Sequence, residues 1–348
     1  MRFSSILIDW YEEDHRSLPW RDTKDPYKIW LSEIILQQTR VDQGLPYYLK
    51  FVEAYPTVED LARTPQDEVL KLWQGLGYYS RARNLQKAAR QVTDHHDGVF
   101  PADYKKLIEL AGIGPYTAAA IASFAFQLPH AVVDGNVYRV LSRYFDIDLP
   151  INKPNGQKHF AALAQEVLDT DRPDLHNQAI MEFGARQCTP KNPDCMFCPL
   201  NESCASHAVG KVQERPVKEG KTAVKKVWMD YLFVESPGGI AIRKRADKGI
   251  WSGLYDFPLI EGEKETSRRE AQNSEAWKAI LDPEAEVLSV TEGIVHRLSH
   301  RLLHVRFWRV KSAQKPDFPG IVLVDREELP NFAVPVVIHE WLMSQGLA

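Results

Sequence analysis

The stretch from residue 107 to residue 143 constrains the fold most, because it predicts two helices joined by a glycine hairpin. An apolar helical turn ends at Gly112 and Gly114, and two glycines at this spacing allow a tight turn with positive φ. Pro115 then suits the first turn of a new helix that continues from Tyr116. The N-terminus of that helix, with only glycine backbone in front of it, favours a bound phosphate. Similar loops also occur without a ligand, so the phosphate site is a hypothesis at this point.

Two carboxylates stand in positions that suggest chemistry. Asp134 follows an apolar pair and precedes Gly-Asn, where a carboxylate caps the next helix, points into a cleft, or does both. Glu33 lies in a predicted helix, residues 28–41, that is apolar on most of its faces. A carboxylate in such a helix is costly unless it is paired or protonated, so a raised pKa is expected. The alternative is an exposed glutamate on a polar stripe with Gln37.

The four cysteines of the chain all fall in one short run, at Cys188, Cys195, Cys198 and Cys204. The N-terminus turns acidic too soon for a signal peptide, so structural disulfides are not expected. Zinc and iron–sulfur remain as alternatives. A single Cys-x-x-Cys flanked by longer arms fits a 4Fe-4S cluster better than paired zinc knuckles.

Composition predicts a globular protein in the cytoplasm, with 44% hydrophobic and 26% charged residues and no apolar run of membrane-spanning length. The net charge of −4 argues against nucleic acid as a partner of the whole surface. A DNA-binding footprint would therefore be local. Two small basic groups are candidates: Arg81, Arg83, Lys87 and Arg90, and behind Asp134 a second group of Arg139 and Arg143.

Periodicity divides the chain into two regions. Helical patterns fill residues 1–208, and residues 209–226 lack apolar periodicity, as a linker does. Residues 227–348 change to strand-like alternation with helices near 275–281 and 335–345, which predicts an α+β domain.

The run ELAGIGPYTAAAIASFAF followed by VVDGNVYRVLSR resembles the helix-hairpin-helix superfamily of base-excision DNA glycosylases, and within it the adenine-specific DNA glycosylases of the MutY family. The similarity can be traced from about Trp10 to the C-terminus. It implies α-helical glycosylase domains, with a six-helix barrel subdomain at about 23–133 and an iron–sulfur cluster loop at 188–204. It also implies a Nudix-like α+β domain at the C-terminus, where GIWSGLYDFP matches that domain's own signature.

The resemblance implies the roles of four active-site residues. Cleavage of an N-glycosidic bond needs an acid for the departing base and an anion beside an oxocarbenium-like sugar. Glu33, in SEIILQQT, matches the catalytic acid, and Asp134, in VDGN, matches the anion, which nearby helix amides are expected to keep ionised. Tyr116 stands where strand-cutting relatives carry a nucleophilic lysine, which predicts a monofunctional enzyme. Asn136 matches an asparagine near the carboxylate; for Tyr116 and Asn136 the alternative is hydrogen bonding that only shapes the pocket.

The resemblance also implies contacts to double-stranded DNA that carries adenine opposite 8-oxoguanine or guanine. Gln38 and Tyr78 match a pair of intercalating residues that fill the gap left by an extruded base. A loop before the last long strand matches the element that senses 8-oxoguanine, with leucine where many relatives have phenylalanine; a core-facing strand turn is the alternative. The predicted recognition residues are Gln38, Tyr78, Gly112, Gly114, Leu298, Ser299 and His300.

Three other functions compete with this one. An endonuclease III-like glycosylase with lyase activity is disfavoured by Tyr116 and by the extra domain. A non-catalytic DNA-binding iron–sulfur protein would leave both carboxylates unexplained. A nucleotide pyrophosphatase needs a run of glutamates that hold magnesium, and only Arg269-Glu270-Ala271 remains of that motif, so the C-terminal domain is interpreted as a binding module. We expect a monomer with no membrane partner.

Overall fold

The computed structural model describes residues 2–220, 223–246 and 249–347. By its internal contacts the chain forms two units, and each unit consists of two separate stretches of the sequence. Unit 1 comprises Met1–Arg63 and Asn84–Gly220, and unit 2 comprises Thr64–Arg83 and Lys221–Ala348. In the described ranges, no helix is both long and apolar enough to cross a membrane.

Helices make up the chain as far as the first strand, as predicted. They are α1 (Arg2–Glu13), α2 (Pro26–Leu36), α3 (Val41–Ala54), α4 (Val58–Arg63), α5 (Gln66–Leu72), α6 (Ser80–His96), α7 (Tyr104–Ile108), α8 (Pro115–Phe126), α9 (Gly135–Tyr144), α10 (Pro154–Val167), α11 (Pro173–Arg186) and α12 (Ala205–Ala208). Short 3-10 turns lie at Asn201–Ser203 and Val212–Glu214.

Two helices of unit 1 are buried on almost every face, and they carry the candidate site. The α2 helix starts with Pro26, and the Asp25 side chain caps it by accepting from the amide of Tyr27. The α8 helix is rich in alanine, which lets it pack closely against α2. The apolar core around them also includes side chains of α1, α9 and α11.

Two predicted helices are shorter than expected. The helix predicted over 28–41 ends at Leu36, because Gln38 adopts a left-handed backbone with φ of 57° before α3 starts. The helical pattern at 155–185 is divided into α10 and α11, with Pro173 at the first position of the second helix.

Unit 2 is an α+β structure around one mixed sheet, as predicted. The strand order is β3-β2-β1-β6-β5, with β4 paired to β1 and β7 paired to β2. Strands β1 and β6 run parallel, and the other pairs are antiparallel. The elements are β1 (Lys225–Ser236), β2 (Gly239–Lys244), β3 (Tyr255–Asp256), β4 (Leu259–Gly262), α13 (Arg268–Gln272), α14 (Glu275–Ile280), β5 (Glu286–Arg297), β6 (Arg301–Lys311), β7 (Ile321–Val324) and α15 (Val336–Ser344), with a 3-10 turn at Arg326–Asn331.

The segment 64–83 groups with the sheet of unit 2 rather than with its neighbours in sequence. The hydroxyl of Tyr79 donates to the carbonyl of Val334 at 3.3 Å, and the amide of Val334 donates to the Gln74 side chain at 3.1 Å. The predicted boundaries at 1–208, 209–226 and 227–348 follow the chain linearly and stay a prediction. Residues 209–220 of the predicted linker belong to unit 1, and Lys221 and Thr222 lie outside the described residues.

Candidate active site

Unit 1 contains a cavity of about 600 Å³ that all four predicted catalytic residues line. This volume falls within the range that binds small organic groups such as a nucleobase. The residues come from different elements: Glu33 from α2, Tyr116 from the first turn of α8, and Asp134 and Asn136 from the start of α9. The structure therefore brings together side chains as far apart in the sequence as Glu33 and Asn136.

Glu33 is 7% exposed, so it does not lie on a solvated polar stripe. Burial raises the pKa of its carboxyl to about 7; a hydrogen bond from Tyr116 opposes the shift, and the negative charge of Asp134 adds to it. The raised pKa expected from the sequence follows from this geometry. Near neutral pH a large fraction of Glu33 carries a proton that it can donate.

Tyr116 is oriented to act as a hydrogen-bond donor to Glu33. Burial, followed by the charges of Glu33 and Asp134, raises the pKa of the tyrosine hydroxyl well above its ordinary value. The same hydroxyl lies 3.9 Å from the sulfur of Met181. Tyr116 is therefore a neutral donor in this site, and its ring forms part of the cavity wall.

Asp134 caps α9 and also faces the cavity, so both roles considered from the sequence hold. Its Oδ1 accepts from the amides of Asn136 and Val137, each at 2.8 Å, and its Oδ2 accepts from the side-chain amide of Asn136 at 2.8 Å. Burial raises the pKa of Asp134, and these three bonds lower it again in part. The net direction is upward, which differs from the sequence expectation that the helix amides dominate. The hydrogen-bond set still matches an anion, because every partner is an N–H donor.

A buried arginine, Arg139, connects Asp134 to the cysteine loop, whereas the sequence suggested it only as part of a local basic group. The guanidinium of Arg139 donates to Asn136 Oδ1 at 2.8 Å and to the carbonyl of Cys188 at 2.7 Å. It also donates to the carbonyl of Gly184. A Cβ added at Gly184 would lie 2.6 Å from the Cβ of Asn136, so the two segments pack closely there. Arg139 is 8% exposed and Arg143 is 2% exposed. This basic group therefore orders the interior of unit 1 and is not a surface footprint for DNA.

The four cysteines line one cavity at the edge of unit 1. All four are half-buried, and none of them forms a disulfide. In the described ranges, no three His, Cys, Asp or Glu side chains are arranged to hold a single metal ion. Asp194 and His207 line the same cavity, and the four cysteine sulfurs among its donors are the set that holds an iron–sulfur cluster.

The hairpin glycines differ from each other in backbone conformation. Gly112 has φ of 74°, and an added Cβ would lie 2.7 Å from Asn84 Cβ, so only glycine fits. Gly114 is extended, with φ of −93°, and it caps α8, so of the two hairpin glycines only Gly112 has the positive φ that the tight turn uses. No heavy atom lies within 4 Å of a Cβ built at Gly114, so the N-terminus of α8 is open to a ligand.

The two predicted intercalating residues share an uncommon backbone conformation. Gln38 in unit 1 has φ of 57°, and Tyr78 in unit 2 has φ of 47°. Both side chains are exposed. Left-handed backbone at a residue other than glycine stores strain that is common at functional sites.

The predicted sensing loop is the turn between β5 and β6. The amide of Leu298 donates to the carbonyl of Arg301 at 2.8 Å, which closes the turn. Leu298 packs partly against the core of unit 2, whereas Ser299 and His300 are exposed. The Ser299 Oγ lies 2.8 Å from the hydroxyl of Tyr78. The core-facing alternative therefore describes Leu298 alone.

Comparison with protein families defines the class. Residues 31–168 match the HhH-GPD superfamily of base excision DNA repair proteins, and residues 231–344 match the NUDIX domain. A trapped endonuclease III–DNA covalent intermediate, 22% identical, has the same fold as the helical part, with a TM-score of 0.52 over 61% of this chain and 94% of that chain. The chain is therefore a helix-hairpin-helix base excision repair protein with a Nudix-like domain, and the predicted fold class is confirmed.

Relatives that match along most of the chain define the family within this class. The chain is 35% identical to the adenine DNA glycosylase of Buchnera aphidicola subsp. Baizongia pistaciae, over 87% of this chain and 84% of the relative. It is 32% identical to the adenine DNA glycosylase of Mus musculus, over 97% of this chain and 76% of the relative. A solved thermostable thymine-DNA glycosylase is 33% identical, with a TM-score of 0.56 over 60% of this chain and 95% of that chain. The chain belongs to the adenine DNA glycosylase family, and the predicted family and enzyme class, a DNA N-glycosylase, are confirmed.

Proposed function

We propose that this chain is a monofunctional adenine DNA glycosylase that removes adenine opposite 8-oxoguanine or guanine from double-stranded DNA. The observation that carries the proposal is that Glu33 and Asp134 line one cavity in different environments. Burial favours the protonated form of Glu33, whereas three N–H donors at Asp134 match an anion. The family membership supports adenine as the substrate base. The monomeric state, the cytoplasmic location and the lack of a membrane partner stay predictions.

In this mechanism the two carboxyl groups divide the work of bond cleavage. Protonated Glu33 donates its proton to a ring nitrogen of the flipped adenine, which makes the base a better leaving group. Ionised Asp134 stabilises the positive charge that develops on the sugar. Glu33, now ionised, accepts a proton from the water that attacks the sugar.

Two neighbouring residues hold these groups in place. Tyr116 donates to Glu33 and fixes the direction of its carboxyl group. Asn136 donates to Asp134, and Arg139 holds Asn136 in the rotamer that does so. The residues that line the cavity in the described part of the chain include arginines but no lysine, which supports hydrolysis without a Schiff base.

We propose that Cys188, Cys195, Cys198 and Cys204 bind a 4Fe-4S cluster. The convergence of four cysteine sulfurs on one cavity supports the assignment. The bound cluster would crosslink the loop as a structural group. Arg143 would neutralise part of its negative charge, because the guanidinium lies 3.3 Å from Cys188 Sγ.

The contacts to DNA are also proposed. The open N-terminus of α8 behind Gly112 and Gly114 would bind a backbone phosphate. The exposed side chains of Gln38 and Tyr78 would enter the base stack beside the extruded nucleotide. For base recognition opposite the adenine we propose Leu298, Ser299 and His300, of which Ser299 and His300 are exposed.

Thymine opposite guanine is a second candidate substrate, because the solved thymine-DNA glycosylase is as similar in identity as the adenine-specific relatives. That similarity covers 60% of this chain, whereas the adenine DNA glycosylase of Mus musculus matches over 97%. The comparison over the longer range favours adenine.

One experiment tests the activity and its specificity together. The purified protein is incubated with duplexes that carry adenine opposite 8-oxoguanine, adenine opposite guanine, or thymine opposite guanine, and strand breaks are scored with and without alkali. We expect adenine loss with breaks that appear only after alkali. Breaks without alkali would indicate a lyase, and thymine loss alone would indicate the second candidate. The control Asp134→Asn should bind the duplex and release no base; if it turns over, Asp134 has no part in the mechanism.

A further inference from the structure

The first part of the predicted linker, residues 209–220, is packed in unit 1, and we call it the strap. The amide of Ile151 donates to the carbonyl of Val217 at 3.0 Å. Asn152 and Glu219 exchange two hydrogen bonds, of 2.7 Å and 3.0 Å. These specific polar contacts hold a segment whose composition predicted no fixed structure.

Arg143 joins the strap to the cysteine loop. Its side chain is almost fully buried, and its Nε donates to the carbonyl of Val212 at 2.9 Å and of Arg215 at 3.2 Å. Its Nη1 donates to the carbonyl of Thr189 at 2.7 Å and lies 3.3 Å from Cys188 Sγ. One rigid, planar guanidinium therefore bridges two segments of the chain.

The charge of Arg143 makes this bridge sensitive to the state of the cysteines. In the described part of the chain, its hydrogen-bond partners are backbone carbonyls and the Cys188 sulfur rather than carboxylates. A buried cation is stable only where negative charge or many dipoles compensate it. Thiolates that bind a cluster carry that negative charge, whereas free thiols do not. Without the cluster, the carbonyl dipoles alone compensate the charge of Arg143, so the buried side chain is less stable and its bonds to Val212 and Arg215 should weaken.

We propose that Arg143 is a positioning residue through which the cluster orders the strap, so that loss of the cluster loosens the strap. The proposal rests on the proposed cluster. The strap ends at Gly220, before β1 starts at Lys225 in unit 2. The chain also passes between the two units at residues 63–64 and 83–84, so the proposed effect concerns the order of the strap itself.

The effect should be graded along the strap, because other contacts hold its far end. The Ile151–Val217 bond and the Asn152–Glu219 bonds do not involve Arg143, so they continue to hold residues 217–220. The Arg215 side chain also pairs with Asp146 at 3.1 Å, but the backbone carbonyl of Arg215 depends on the bond from Arg143. Residues 211–215 should therefore loosen first, and residues 217–220 should change less.

Hydrogen exchange of the full-length, iron-loaded protein tests the bridge. Lysine in Arg143→Lys keeps the charge, but its single ammonium group cannot reach both segments. We expect amide exchange in residues 211–215 to become about tenfold faster, which corresponds to the loss of one or two hydrogen bonds. The matched control is Arg90→Lys, since Arg90 donates to the carbonyl of Ala62 outside this network. Unchanged exchange at 211–215 in iron-loaded Arg143→Lys would refute the bridge.

A second variant covers the case in which Arg143→Lys does not retain iron. Asp146→Asn weakens the pairing with Arg215, and the asparagine oxygen can still accept the hydrogen bond from Ser206, which follows Cys204 in the chain. Asparagine also tolerates the left-handed φ of 50° at this position. Coupling is reciprocal, so a looser strap should lower the affinity for the cluster. We expect Asp146→Asn to lose half its iron at a severalfold lower chelator concentration than the wild type. Retention equal to the wild type would overturn the proposal. Neither readout uses DNA, so a failure of the proposed glycosylase activity would be recognised separately.

Discussion

The substitution Glu33→Gln should stabilise unit 1 at alkaline pH while it abolishes base release. Burial raises the pKa of Glu33 from 4.5 to about 7, so between these values the folded protein binds more protons than the unfolded chain. The stability that this group contributes is complete below about pH 4.5 and is lost as the pH rises through about 7. In alkaline solution the wild-type protein therefore contains an ionised Glu33 in a buried site, which lowers its stability.

The size of the effect follows from the shift. About 2.5 pKa units at ~1.4 kcal/mol each give roughly 3 kcal/mol, and the side chain is buried, so solvent screening does not reduce this value. Glutamine has nearly the same shape, accepts the hydrogen bond from Tyr116, and does not titrate. The free energy of unfolding of the variant minus that of the wild type should therefore become more positive as the pH rises. Between about pH 4.5 and above about pH 8 this difference should increase by ~3 kcal/mol.

Urea unfolding of the DNA-free protein, followed by far-ultraviolet circular dichroism, measures this difference because unit 1 holds most of the helix. A control of opposite sign is Glu182→Gln. Burial raises the pKa of Glu182, but hydrogen bonds from Arg16 and Arg21 outweigh it and lower the pKa to about 2. Loss of that carboxylate should therefore cost stability above about pH 4.5. A pH-independent difference for Glu33→Gln would refute the conclusion that Glu33 is a buried acid.

Three further predictions concern the network, the sensing loop and the cluster. Arg139→Gln should cost ~3 kcal/mol in urea unfolding, because it leaves buried carbonyls without donors, and it should slow single-turnover base release by freeing Asn136. Tyr78→Phe and Ser299→Ala each remove the same hydrogen bond. A double-mutant cycle that measures the preference for 8-oxoguanine over guanine should therefore show a coupling free energy of ~0.5–1 kcal/mol. Additive effects of the two substitutions would mean that this hydrogen bond does not contribute to the preference. Metal analysis should find about four irons per chain, and chelation should destabilise unit 1; stoichiometric zinc would contradict the cluster.

The features that the sequence predicted correctly are local. The start of α8 follows from Pro115 after the hairpin, and the α9 cap follows from Asp134 before Gly-Asn. The burial of Glu33 follows from the apolar residues on every side of α2. In each case a short pattern contains the physical cause, so a correct expectation does not depend on the tertiary structure.

The features that it did not predict depend on partners far away in the chain. Arg139 and Arg143 look like surface charge in sequence, yet both are buried because carbonyls of residues 184–190 and 212–215 accept their N–H groups. The strap and the segment 64–83 are similar cases, since neither has a composition that indicates its neighbours. The backbone of Gly114 is extended because this residue is the N-cap of α8, and the open space around it would also admit a Cβ, so neither φ nor packing within the chain requires glycine there.

The division of roles between Glu33 and Asp134 follows from the number of donors that each receives. Burial raises the pKa of both groups. Asp134 accepts three N–H bonds and lies near the charge of Arg139, whereas Glu33 accepts one bond from Tyr116 and lies near the charge of Arg21. Asp134 should therefore lose its proton first as the pH rises. Its negative charge then raises the pKa of Glu33, so ionisation of one group helps the other to keep its proton. The active state of the pair is therefore an ionised Asp134 beside a protonated Glu33. Asn136 supplies one of the extra donors to Asp134 and Arg139 orients Asn136, so these two residues determine which carboxyl group is the anion and which is the acid.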